Sequence, residues 1–244
     1  MKHFKTVFIL LFICSISTQT INAQWGSKKV TGNNQVIEET RTLSPYIVLD
    51  ISGSFQVELV KGTPGKITII AESNLIQHIV KEVDKDMLTI EVAKKINLDA
   101  NKRIKIIIPF SELEEINLSG SGSIVSNNTN EADELEIEFS GSGSLNLPVN
   151  ISDSIKITKS GSGSIQLEGS AQSLDLKSTG SGKFMGENLV VEDAEIKITG
   201  SGNVSITCKD KIEAKVTGSG NIMYKGDPSR IDTSITGSGK IEKL

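Results

Sequence analysis

The chain has 244 residues, 22 of them glycine and only 4% aromatic, and its formal net charge is −4. Scarce aromatic residues argue against a globular core built on large rings. The lack of a basic block argues against a nucleic-acid partner. The length allows one large domain or two small ones.

Residues 1–23 have the pattern of a secretory signal peptide, with Lys2 and Lys5 before an apolar run at 7–13 and Ala23 at the cleavage site. The run is far shorter than the roughly 20 residues that a membrane span needs. The sequence therefore predicts an exported chain that does not span a membrane, located in the periplasm or on the cell surface. Export would leave Cys208 as the single cysteine, which excludes an internal disulfide.

Residues 24–36 are expected to form a flexible segment, and residues 37–118 an irregular β-rich part. Apolar and polar residues alternate through 47–60, around a shortened Gly-Ser corner at Gly53, and further strands are predicted at 66–71, 87–92 and 102–108. Residues 74–80 could form one or two helical turns, with Ser73 or Asn74 as the N-cap. We expect this part to close the N-terminal end of the structure that follows.

Residues 119–244 carry a repeat. The tripeptide Gly-Ser-Gly occurs seven times, at intervals of 18 to 21 residues, and self-similarity of this period is typical of a solenoid. We call each tripeptide a corner and predict that its glycines serve as structural turns, because a tight corner needs backbone angles that other residues adopt only at a cost. The corner glycines are Gly120, Gly122, Gly141, Gly143, Gly161, Gly163, Gly180, Gly182, Gly200, Gly202, Gly218, Gly220, Gly237 and Gly239.

The residues around each corner alternate with period two. Counted from the first glycine, positions −6, −4, −2, +4 and +6 are mostly apolar, whereas −5, −3 and −1 are polar. Each copy, which we call a rung, is therefore predicted to form two short strands. With about 20 residues per rung, the stacked rungs are predicted to bury one continuous core. Cys208 is in register with the inward positions. Lys159 interrupts position −2, and we expect it to be displaced or to lie near an opening.

These features resemble the putative auto-transporter adhesin, head GIN domain family, which is common in secreted proteins of Bacteroidetes. The resemblance runs from about Tyr46 to Asp227 and includes the stretches 51–59, 106–109 and 116–122 with the serial corners. It implies an all-β fold, a right-handed parallel β-helix (β-solenoid) outside the cytoplasm, with a less regular β-rich N-terminal section. The resemblance implies no particular catalytic or binding residue in this sequence.

Outward charges repeat beside the corners. Position −5 places Glu195 next to Glu213, and position −3 places Lys177, Lys197 and Lys215 in one column. Two neighbouring carboxylates could support glycosidic chemistry, but the adjacent lysines favour exposed ion pairs. We predict that these five residues form a binding-face ladder, and we predict no catalytic residue, cofactor or metal ligand. Loose binding of a cation by the acidic column is an alternative that the sequence leaves open.

The sequence thus favours an exported, non-enzymatic solenoid that recognises a glycan or another repetitive cell-surface ligand. A carbohydrate-active enzyme on a parallel β-helix is one alternative, and a purely structural envelope protein is another. The chain also ends seven residues after the first glycine of its last corner, so a further hypothesis is an end-to-end homodimer.

Overall fold

The structure is a computed structural model that describes residues 26–244, so the predicted signal peptide at 1–23 lies outside the described residues. The described part is built of strands and one 3-10 turn, Ile76–His78. The strands are β1 Lys28–Thr31, β2 Val36–Thr42, β3 Val48–Gly53, β4 Gln56–Lys61, β5 Lys66–Glu72, β6 Ile79–Asp84, β7 Met87–Val92, β8 Ile96–Asp99, β9 Lys105–Phe110, β10 Glu115–Gly120, β11 Ser123–Ser126, β12 Asn130–Gly141, β13 Ser144–Gly161, β14 Ser164–Gly180, β15 Lys183–Gly200, β16 Asn203–Gly218, β17 Asn221–Lys225, β18 Arg230–Gly237 and β19 Lys240–Lys243.

Successive copies of the repeat stack in parallel and in register. Gly120 pairs with Gly141, Gly141 with Gly161, and the same pairing continues to Gly237. Segments before the corners form a first sheet and segments after them form a second sheet. The predicted β-solenoid and its phase are therefore confirmed.

The core is a stack of aliphatic side chains between the sheets. Positions −4 and +4 are filled by residues such as Ile157, Ile196, Ile165 and Val204, each with almost no exposed surface. Cys208 is buried as the register predicts, and its sulfur lies 3.1 Å from the carbonyl oxygens of Glu192 and Lys211, either of which can accept its single S–H. Burial raises the pKa of this thiol, so it acts as a small apolar group.

The first glycine of each corner is required by both conformation and space. Gly180 has a φ of +106°, and a Cβ added there would lie 2.6 Å from the carbonyl oxygen of Gly161 in the preceding rung. A side chain at this position would therefore strain its own backbone and push the corners apart.

The second glycine has no positive φ and is required by space alone, since a Cβ on Gly220 would lie 2.4 Å from the carbonyl oxygen of Gly202 in the preceding rung. Side-chain packing adds to this requirement. The side chain at position −2 of one rung extends beneath the second glycine of the next corner, so a Cβ on Gly163 would lie 2.4 Å from the Phe139 ring. A Cβ on Gly220 would lie 2.8 Å from Ile198 Cγ2 in the same way. The repeat thus couples each corner to the packing of the rung before it.

Lys159 contradicts the expectation of displacement. It keeps its register between Phe139 and Ser178, and only 1% of its surface is exposed. The aliphatic part fills the position −2 column, and a Cβ on Gly182 would lie 1.8 Å from Nζ. The Nζ atom lies 5.7 Å from the centre of the Phe139 ring and has no hydrogen-bond partner among the described residues. Burial lowers the pKa of this amine.

The N-terminal part of the stack does not follow chain order. Strands β3 and β4 form a rung in which Gly53 pairs with Gly120, which confirms the shortened corner. Strands β7 and β9 form the rung before it, although they follow it in sequence. The chain therefore passes from β9 over the β3–β4 rung to reach β10. Antiparallel strands β6, β5 and β2 lie beyond β7 and β9 and cover the N-terminal edges of the two sheets.

Three local expectations differ from the structure. The 3-10 turn has Leu75 as its N-cap, because the Asn74 side chain instead donates to the carbonyl oxygen of Thr31. The strand expected from residue 102 begins at Lys105, since the backbone N–H of Lys102 donates to Glu72. Within 24–36, for which we expect flexibility, β1 pairs in parallel with β8.

Replacing Lys159 by Met should raise the free energy of unfolding at pH 7 by about 1–3 kcal/mol, because the unpaired buried amine is removed while its volume is kept. The folded pKa is below the ordinary 10.5, so the unfolded state binds more protons between these two values. Stability of the parent should therefore rise with pH in this window, and the Met variant should lack that rise. Chemical denaturation from pH 7 to 10, with exposed Lys66→Met as the control, measures both effects. A destabilised Met variant would contradict this description of the amine.

Candidate functional site

The predicted ladder is assembled as two columns on the outer face of the first sheet. Lys177 pairs with Lys197 and Lys197 with Lys215, while Glu195 pairs with Glu213. Neighbouring strands in a sheet lie about 4.8 Å apart, so like side chains repeat at that interval along the face. All five predicted residues thus lie on one surface.

Ion pairs join the two columns mainly within a rung. Lys197 Nζ donates to Glu195, and Lys177 Nζ lies 3.2 Å from the Asp175 carboxylate. The hydrogen bond from Lys197 holds the pKa of the Glu195 carboxyl below its ordinary value, and the same contact raises the pKa of Lys197. These pairs offset the repulsion between stacked like charges, although each contributes little because it is exposed.

The lowered pKa of Glu195 bears on the enzymatic alternative. A general acid needs a proton at the operating pH, and a carboxyl with a lowered pKa is a poor donor. Within residues 26–244, no group of three or more His, Cys, Asp or Glu side chains is arranged to hold a metal ion. What the face offers chemically is a regular array of charges and hydroxyls suited to recognition.

A hydroxyl column at position −1 borders the charged columns. Ser119 Oγ donates to Ser52 Oγ at 2.9 Å, and Ser160 Oγ donates to Ser140 Oγ at 3.3 Å. Towards the N-terminal end, a shallow groove of about 350 Å³ separates this column from position −3, where Asp50 and Glu138 stand. Burial raises the pKa of Asp50, and the charges of Glu91 and Glu115 add to this effect. The groove is therefore acidic, whereas the same column farther along the solenoid carries lysines.

A second site lies at the N-terminal end of the corner stack, and sequence reasoning did not find it. A cavity of about 510 Å³ opens there beside the shortened corner, lined by 53–55, Val92 and the segment 96–104. Its outer wall is β8, which β1 covers by parallel pairing. The signal in the sequence was the break in alternation at the end of β5, where the acidic Glu72 follows Ala71, and the structure buries both residues.

Glu72 organises this end of the molecule. Its carboxylate has no exposed surface and accepts hydrogen bonds from the backbone N–H groups of Asn34 at 2.6 Å, Asn101 at 2.9 Å and Lys102 at 3.2 Å. The Asn101 side chain adds another at 3.3 Å. Burial by itself raises the pKa of Glu72, but these hydrogen bonds outweigh it and the net pKa is lowered. One carboxylate thus ties the segment before β2 to the wall of the cavity.

The stacked corners and outward ladders define a β-solenoid with a repetitive polar surface. The sequence profile of the putative auto-transporter adhesin, head GIN domain family matches residues 45–228, so this chain belongs to that family. The match confirms the resemblance and its extent. No curated protein is significantly similar to the chain.

Solved structures share the architecture. A putative adhesin from Bacteroides fragilis is 25% identical with a TM-score of 0.82, over 88% of this chain and 100% of its own. A protein from Parabacteroides distasonis described as a putative lipid binding protein is 26% identical with a TM-score of 0.73, over 89% and 100%. A putative adhesin from Parabacteroides merdae is 25% identical with a TM-score of 0.65, over 88% and 99%. The family and these neighbours point to a binding protein.

Within residues 26–244, no helix has the length and apolar character needed to cross a bilayer.

Replacing Glu72 by Gln should loosen the N-terminal end, because a neutral amide cannot accept the same set of hydrogen bonds. The folded pKa of Glu72 is below its ordinary 4.5, so its stabilisation is complete above pH 4.5 and is lost as the pH falls through the folded value. We expect the variant to melt a few degrees lower at pH 7 and to lose less stability than the parent on acidification.

Hydrogen exchange of residues 28–34 and 99–104 at pH 7 localises this effect. Exposed Glu82→Gln is the matched control and should leave that exchange unchanged. Equal protection of both segments in the Glu72 variant and the parent would show that this carboxylate does not hold them.

Proposed function

We propose that this protein is an exported, non-enzymatic, adhesin-like binding module that acts in the periplasm or at the cell surface. Its ligand is a repetitive molecule such as a glycan, recognised by the ladder of Lys177, Lys197, Lys215, Glu195 and Glu213. Family membership supports the binding role, and the secretory pattern of residues 1–23 supports export.

The observation that carries the proposal is the in-register repetition of the ladder. Lysines one rung apart make the same kind of ion pair. Lys177 and Lys197, both at position −3, each lie beside the carboxylate at position −5 of their own rung. A polymer with repeating hydroxyl or charged groups can contact several rungs by the same interactions. Many weak exposed contacts then add up through multivalency, without a deep pocket.

Binding to a glycan array should depend on the lysine column. Replacing Lys177, Lys197 and Lys215 together by Gln should weaken binding by about tenfold or more, equivalent to about 1.4 kcal/mol. The control replaces Lys66, Lys85 and Lys94, which are exposed elsewhere, and removes the same charge. Matching circular dichroism would show that both variants fold.

The alternatives give other results in a parallel polysaccharide-cleavage assay. Cleaved polysaccharide without saturable binding would favour a carbohydrate-active enzyme. Neither binding nor cleavage would favour a structural envelope protein. Equal glycan affinity of the ladder variant and the control would remove the ladder from the proposal.

End-to-end association of two copies is a further part of the proposal. In the described residues, β18 has a strand neighbour on one side only, and Ile231 and Ile235 on it are 47% and 44% exposed. Exposed edge strands with apolar side chains tend to pair with another chain. Light scattering should detect a dimer that Ile235→Lys disrupts, and a strict monomer at high concentration would contradict this part.

A further inference from the structure

The corners share one hydrogen-bond pattern that runs along the whole stack. In each of the seven Gly-Ser-Gly corners, the serine N–H donates to the first glycine carbonyl of the preceding corner. In four of them the next N–H converges on the same oxygen, as Ser162 and Gly163 do on Gly141 at 3.0 Å each. A corner thus presents adjacent N–H groups towards its N-terminal neighbour and a carbonyl oxygen towards its C-terminal neighbour.

The shortened corner at Gly53 is the first of this stack. Its carbonyl groups are used, since Ser121 donates to Gly53 at 3.2 Å and Ser123 donates to Phe55 at 2.8 Å. On its other side lies the β7–β9 rung, which has no corner because the chain instead makes the excursion 93–104. Gln56 N–H still finds an acceptor there, the carbonyl oxygen of Ile104 at 2.9 Å.

In the described part of the chain, the two N–H groups before Gln56 have no such acceptor, and for Ser54 this sets the first corner apart from all seven later ones. Among residues 26–244, neither a backbone carbonyl nor a side-chain oxygen accepts a hydrogen bond from the N–H of Ser54 or Phe55. At every later corner the serine N–H is bonded. The place that a glycine carbonyl oxygen would take is here bordered by the 510 Å³ cavity, which Gly53, Ser54 and Phe55 line.

The charges around the cavity favour a negative occupant. Lys102 and Arg103 line it and are exposed, and in the described part of the chain no carboxylate lies within ion-pair distance of their side-chain nitrogens. The one acid in the lining, Asp99, is held by Lys29 at 3.0 Å and by the Thr31 hydroxyl at 3.1 Å. Hydrogen bonding to Lys29 lowers the pKa of Asp99, and this ion pair offsets its charge.

We propose that this cavity binds the anionic oxygen group of a small molecule, a carboxylate or a phosphate. One oxygen accepts from the N–H groups of Ser54 and Phe55 and so takes the place of the glycine carbonyl found at every other corner. Successive backbone N–H groups form such anion-binding concavities. Lys102 and Arg103 add charge-assisted contacts, and Val92, Ile96 and Leu98 offer apolar surface to the rest of the ligand.

The site is preorganised by Glu72. That buried carboxylate holds the N–H groups of Asn101 and Lys102, so the segment that presents Lys102 and Arg103 is tied down before any ligand binds. A prepared site loses less conformational entropy on binding. This proposal concerns a different surface from the ladder and stands independently of glycan binding.

Amide chemical shifts of ¹⁵N-labelled protein provide the test. Sodium acetate, inorganic phosphate, galacturonate and octanoate are titrated separately at constant ionic strength and pH. We expect saturable downfield shifts of the Ser54 and Phe55 amide protons. Ser121 and Ser142 are internal controls, because their N–H groups already donate to Gly53 and Gly120. The anion that binds most tightly identifies the source of the group: an acidic sugar, an amphiphile or free phosphate.

Two variants test the charged wall without touching the corner. Arg103→Ala and Lys102→Ala should each raise the dissociation constant by about tenfold, whereas exposed Lys66→Ala should leave it unchanged. No saturable shift with any of the four anions would overturn the proposal. Shifts of equal size at Ser121, or equal affinity of all three variants, would also overturn it, because binding would then be unrelated to the open corner.

Discussion

The hydrogen bond between a serine N–H and the glycine carbonyl of the preceding corner is the constraint on which this solenoid depends. It recurs at all seven Gly-Ser-Gly corners with N···O distances of 2.8–3.2 Å. Such close stacking leaves no room for a Cβ on either glycine. The corners therefore fix the register of both sheets, and the strands on either side inherit it.

Strict register has consequences for the interior. Each position −2 side chain lies under the second glycine of the next corner, so the column accepts Phe139, Lys159, Ser178 and Ile198 as long as each fits that space. Lys159 satisfies the volume requirement with its aliphatic stem, and its amine lies in the core at an electrostatic cost. This position therefore accepts side chains of different volume and polarity, provided that each fits beneath the glycine of the next corner.

The same register produces the outer surface and the N-terminal cavity. Outward residues form columns because every rung has the same alternation of inward and outward positions. Ion pairs within a rung, such as Lys177–Asp175, allow like charges to stack. The stack of corners begins at Gly53, where no preceding corner offers a carbonyl oxygen to the N–H groups. The segment that surrounds this point is held by hydrogen bonds to Glu72. Both candidate surfaces are thus products of one repeat, one along its length and the other at its end.

The sequence by itself determined the solenoid, its phase, the place of the corners and the inward position of Cys208. These follow from glycine spacing and period-two alternation, which are local and repeat at a constant interval. Only the tertiary structure decided that β3–β4 lies between β7–β9 and β10–β11, that Lys159 stays in the core, that Asn74 binds Thr31 instead of capping a helix, and that Glu72 collects N–H groups from two distant segments. The physical reason is that each depends on contacts between residues far apart in the chain, whereas the repeat specifies only what one rung requires of the next.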